Sequence, residues 1–90
     1  MEFRYMVTYG RVKEQYRTYE AVEEAFEKYT KAAEKHGVKV LFWGLPFGVS
    51  ESLICVCEGN MEDYTALLSS TEAEVLEPWT DGRTNLVMIP

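Results

Sequence analysis

In the stretch Ser52-Leu53-Ile54-Cys55-Val56-Cys57, every residue after the first is apolar. Drawn as a strand, it sets Leu53, Cys55 and Cys57 on one side and Ile54 and Val56 on the other. A strand with one wet face alternates apolar and polar residues, so this one belongs inside a sheet with both faces covered. Upstream, Gly44-Leu45-Pro46-Phe47-Gly48 is punctuated by two glycines and a proline and reads as a connection. Before it, Val38-Lys39-Val40-Leu41-Phe42-Trp43 is β-branched and aromatic and predicts a second strand. The two strands therefore form a hairpin at the centre of the chain.

Helices flank the hairpin. On its C-terminal side Asn60 is placed to cap a helix over 61–69, with Asp63 at the capping-box position and Met61, Tyr64, Leu67 and Leu68 as the apolar face. A shorter helical stretch, 71–77, stops before Pro78. On the N-terminal side Val22, Phe26, Tyr29 and Ala33 recur at helical spacing, with Ala25 and Ala32 beside them. Glu20, Glu23, Glu24 and Glu27 crowd the front of that helix and Lys28, Lys31 and Lys35 its back, which suits the helix dipole. Glu24–Lys28 and Glu27–Lys31 are favourable pairs four residues apart, and Gly37 closes the helix. Its start has two readings, near Lys13 or near Tyr19. The later start, with 11–17 as a loop and Thr18 as N-cap, avoids a helix that would overhang its strands.

At the ends, Phe3-Arg4-Tyr5-Met6-Val7-Thr8-Tyr9 predicts the first strand, stopping at Gly10, and Leu86-Val87-Met88-Ile89 the last, after a turn at Thr80-Asp81-Gly82-Arg83. The order is β-α-β-β-α-β, an α+β domain with an antiparallel four-stranded sheet. Right-handed crossovers put both helices on one face. The other face has nothing in this chain to cover it. Yet the strands are apolar on both sides: Tyr5 and Val7 oppose Met6, Val40 and Phe42 oppose Leu41 and Trp43, and Leu86 and Met88 oppose Val87 and Ile89. An open face of that composition exceeds the few hundred Å² that monomers usually expose. Burying it at ~25 cal/mol per Å² is large beside typical fold stability. A homodimer packed sheet to sheet about a two-fold axis is the expected answer.

Composition bounds the function. Ninety residues make one domain. Fifteen acidic residues against nine Lys and Arg give a formal net charge of -6, and the basic residues are scattered among carboxylates, so neither nucleic acid nor an anionic membrane is an expected partner. The start Met1-Glu2-Phe3-Arg4 lacks the bases of a signal peptide, no apolar run spans a bilayer, and two cysteines without further staples fit a reducing compartment. The expected location is the cytoplasm.

The opening Tyr5-Met6-Val7-Thr8-Tyr9, the segment Gly37-Val38-Lys39-Val40-Leu41 running into an aromatic-glycine connection, and the ending Pro78-Trp79-Thr80-Asp81 with a strand closing at Pro90 carry a resemblance. In this order the chain resembles the dimeric α+β barrel superfamily, small ferredoxin-like domains whose sheets pair into a barrel, and is most similar to its short uncharacterised members. The resemblance implies a pocket between sheet and helices in each protomer. Enzymes of that superfamily include cofactor-independent monooxygenases, haem-degrading oxygenases, muconolactone-type isomerases and haem proteins that reduce chlorite or dyes. Their catalytic residues do not carry over. The haem-ligating His of the second helix has no counterpart in 61–69, and the first strand lacks the Asn of the monooxygenase-like members, although Trp43 and Trp79 are available.

Each candidate residue has a competing structural role. His36 is the only histidine and so the only His general base, but it stands in a last helical turn where a His serves as a cap. Cys55 and Cys57 share a strand face, too few for zinc and poorly placed for a disulfide, and read as core thiols. The glycine connection lacks the Lys-Ser/Thr of a phosphate loop, and Phe47 within it can insert into a partner subunit. The carboxylate runs 20–27 and 72–77 read as solvated helix faces. Tyr9, Tyr16, Arg17, Trp43, Trp79, Asp81 and Arg83 remain as an aromatic and polar group, with Tyr9, Trp43, Phe47, Trp79 and Arg83 as candidate ligand-binding residues. No cofactor is expected. Two functions follow. One is a homodimeric domain that binds a small, largely apolar molecule or a partner protein. The alternative is a cofactor-independent monooxygenase- or isomerase-like enzyme on an aromatic or enol substrate, with His36 or Asp81 as proton acceptor.

Overall fold

A computed structural model describes residues 2–90. Strands β1 (Glu2–Val12), β2 (Lys39–Gly44), β3 (Leu53–Glu58) and β4 (Trp79–Ile89) alternate with helices α1 (Tyr19–Lys35), α2 (Met61–Leu68) and α3 (Thr71–Leu76). All pairings are antiparallel, in the order β2-β3-β1-β4. This is an antiparallel α+β domain compatible with a ferredoxin-like fold. It carries three helices where the six-element pattern has two, because the second crossover is split between α2 and α3.

The split and the helix ends have local causes. Thr18 is extended and its hydroxyl accepts from the Ala21 N–H at 3.1 Å, so α1 takes the later of its two possible starts. The loop before it folds back on the chain, with the Lys13 N–H donating to the Pro78 carbonyl and the Tyr16 N–H to that of Lys13. His36 caps α1 and Gly37 follows at φ 80°, the left-handed conformation in which glycine is unstrained. A Cβ at Gly37 would also come within 2.6 Å of the Asp63 carboxylate. Asn60 Oδ1 accepts from the Asp63 N–H at 2.7 Å to start α2, and Ser70 Oγ from the Ala73 N–H at 3.2 Å to start α3.

One core lies between the sheet and the helices. Val22, Phe26, Tyr29 and Ala33 of α1 and Tyr64 and Leu67 of α2 meet Met6, Leu53, Cys55 and Cys57 from the sheet. The two faces of β1 and β3 divide as their alternation predicts. Strand β2 departs from it: the register slips between Val40 and Phe42, so Val40 opposite Cys57 and Trp43 opposite Cys55 both face the core, while Phe42 opposite Val56 faces away. Strand β4 departs further. The turn expected at 80–83 is instead a bulge within a continuous strand, where the register moves from Tyr9–Arg83 to Arg11–Thr80 and Asp81 takes φ 53°.

The bulge makes room for an indole. A Cβ on Gly10 would come within 2.8 Å of Trp79 Cβ, and one on Gly82 within 2.8 Å of Trp79 Nε1. Two bare glycine backbones, one from each strand, thus let Trp79 lie flat against the sheet and reach the core. The opposite sheet face carries no helix, and its residues fall in rows set by register. One row is Phe42, Val56, Val7 and Asn85, and the next holds Ile54, Tyr9 and Arg83.

Candidate ligand-binding site

A cavity of about 180 Å³ opens between the sheet and the helix layer. Its walls come from three of the four strands and from all three helices: Thr8 of β1, Cys57 of β3, Trp79 and Thr84 of β4, Tyr29 of α1, Tyr64 of α2 and Glu77 at the end of α3. Gly82 completes the wall, since the β4 bulge turns its bare backbone inward beside Trp79. The hydroxyls along one side are linked. Thr8 Oγ1 and Thr84 Oγ1 lie 2.8 Å apart, and the Tyr64 hydroxyl donates to Thr84 Oγ1 at 3.3 Å. Thr8 is the polar residue on a core face otherwise made by Met6 and Gly10, and Thr84 is its register partner.

Tyr29 faces these hydroxyls without joining them. Its side chain is 4% exposed, and its ring meets Trp79 edge to face at 5.1 Å. Burial pushes its phenol upward, so it stays protonated at neutral pH. Glu77 caps α3 through its backbone N–H, which donates to the Ala73 and Glu74 carbonyls, and the residue lines the cavity. Burial raises the Glu77 carboxyl above its ordinary value, with Glu74 adding to the effect and Lys13 opposing it. Cys57 shows its sulfur 3.8 Å from that of Cys55. The hydrogen bond to Cys57, together with burial, pushes the Cys55 thiol far upward, which leaves it a core group and no nucleophile. No Lys, Arg or His lines the cavity.

Of the candidate ligand-binding residues Tyr9, Trp43, Phe47, Trp79 and Arg83, only Trp79 lines this cavity. Trp43 packs on the other flank of α1, stacked on Phe26 at 4.6 Å and beside Tyr19 at 5.7 Å. It borders a shallow groove with Tyr16, Arg17 and Leu45. Tyr9 and Arg83 are register partners on the uncovered sheet face, with the guanidinium 4.5 Å over the ring and paired to Glu51. Phe47 stands fully exposed on the β2–β3 connection. His36 is the C-cap of α1, and Asp81 is exposed at the β4 bulge. Neither proton acceptor named for the enzyme reading lines the cavity, and the ligand-binding set is dispersed over four places. Among the described residues no cluster of His, Cys, Asp and Glu is arranged to hold a metal ion, and no helix is long and apolar enough to cross a membrane.

The chain matches no family model and no curated protein. The site therefore has to be read from its own chemistry. The missed residues had one legible signal, Thr8 on the apolar side of β1. Glu77 was hidden because it ends an acidic run that otherwise lies on a solvated helix face.

Proposed function

We propose that this chain is a homodimeric binding domain that holds one small, largely apolar molecule per protomer in the cavity between its sheet and its helices. The observation that carries the reading is the cavity itself, a space walled by Tyr29, Tyr64 and Trp79 with the hydroxyls of Thr8 and Thr84 along one side. Aromatic walls with a few convergent hydroxyls offer a small molecule both apolar contact and hydrogen-bond partners. The space corresponds to about six water volumes, which suits a single ring with one or two polar groups. Pairing of two ferredoxin-like sheets into a dimeric barrel is the second part of the proposal, supported by the apolar rows on the uncovered face.

Native mass spectrometry of gently purified protein tests both parts in one spectrum. A dimer carrying an extra small mass that Tyr29→Phe reduces supports the reading. A clean monomer overturns the barrel, and a dimer that stays bare when small aromatic molecules are added in excess overturns the binding role.

A further inference from the structure

The charge and shape of the cavity narrow the class of molecule it takes. An anion meets only repulsion, because Glu77 is in the wall and no basic side chain is. Glu77 makes none of the ion pairs found among the described residues. Lys13, whose charge is felt at Glu77, donates its ammonium to the Val75 carbonyl at 3.4 Å and forms no ion pair with the carboxyl. The rest of the wall is aromatic. Tyr29, Tyr64 and Trp79 come from three different elements, and a cation against such rings gains ~0.5–2 kcal/mol as it is desolvated. Aromatic rings around one unpaired carboxyl, in an acidic chain, form a receptor for positive charge.

We propose that the cavity recognises a small aliphatic or aromatic amine as its ammonium ion, held by the Glu77 carboxylate against Trp79 and the two tyrosines, with the Tyr29 hydroxyl and the Thr8–Thr84 pair oriented to its remaining polar groups. The inference rests on the cavity being a ligand site, and it adds the charge and class of the ligand. The same geometry predicts an order of affinity for molecules of one shape: amine above alcohol above carboxylate.

Isothermal titration of the wild-type protein at neutral pH with benzylamine, benzyl alcohol and benzoate tests that order. The expected result is benzylamine at least tenfold tighter than benzyl alcohol, with benzoate weakest. In Glu77→Gln, whose thermal melt reports that it is folded, the amine-to-alcohol ratio is expected to fall to near one. Benzyl alcohol binding as tightly as benzylamine overturns the inference and leaves the cavity as a site for neutral molecules. A preference for the amine that survives Glu77→Gln also overturns it, by assigning the attraction to the acidic surface as a whole. If none of the three molecules binds, the cavity is not a ligand site and both readings fall.

Discussion

Glu77 and Gly10 show how single residues around the cavity set its behaviour. The Glu77 carboxyl is harder to ionise in the folded chain than in the unfolded one, so between the ordinary value of 4.5 and its higher folded value the folded state holds more protons. Its contribution is thus most favourable below that window and is lost as pH rises through it. Glu77→Gln removes the titration. The variant should melt close to wild type at about pH 4 and above it at about pH 7, a difference that calorimetry at the two values reads directly. A difference independent of pH would show that burial of this carboxyl is not felt. Gly10 acts by absence, since the nearest atom to an added methyl is Trp79 Cβ, which cannot swing aside without moving β4. Gly10→Ala should cost ~1–3 kcal/mol in urea denaturation, the usual penalty of overpacking a filled site. These residues were the hardest to foresee. Thr8, Thr84, Tyr64 and Glu77 lie far apart in sequence, and only strand register and the split crossover bring them together.

Elements were more legible where a capping side chain marks the end. Thr18, Asn60 and Gly37 each combine a residue type with one required backbone geometry, and each helix boundary they imply is present. The two possible starts of α1 make opposite predictions for one substitution. As an N-cap, Thr18→Ala should lose about 1 kcal/mol. Within a helix begun near Lys13, the same change would be neutral or stabilising, because alanine is the better helix former. Chemical denaturation decides by sign alone, and a loss is expected. Strand β4 was less legible because Asp-Gly serves a tight turn and a bulge equally well, each needing one residue at positive φ. What separates them is whether the chain reverses direction, and that is set by the partner strand. The slip in β2 has the same origin: Val40 and Phe42 look like one face until Cys57 and Val56 fix their partners.

At the scale of the whole molecule the open question is what lies on the uncovered sheet face. Val56 sits near its middle, on an interior strand, with Phe42 and Val7 beside it in the same row. Phe42 is 55% exposed and Val87, further along the face, 39%. Two strands of six residues and two of eleven, ~4.8 Å apart, present roughly 500 Å² in projection on each protomer, so the two paired faces together come to about 1,000 Å², short of the ~1,200 Å² of a stable interface. The β2–β3 connection supplies more, since Leu45, Phe47 and Val49 are all exposed along it and a buried Phe adds ~150 Å² or more. In a sheet-to-sheet dimer these side chains reach across to the partner. Val56→Arg should then leave the circular dichroism spectrum unchanged, because in the single chain that side chain lies on the uncovered face with only its row neighbours beside it, and should convert the dimer to monomer in sedimentation velocity. Phe47→Ala should raise the dimer dissociation constant by about tenfold or more, since a lost aromatic anchor commonly costs above 1 kcal/mol. A wild-type monomer would overturn the pairing, whereas a dimer that tolerates arginine at position 56 would move the interface elsewhere. The edges of the sheet, β2 and the longer β4, would then be the surfaces to examine, because their unpaired backbone groups can be completed by a second chain.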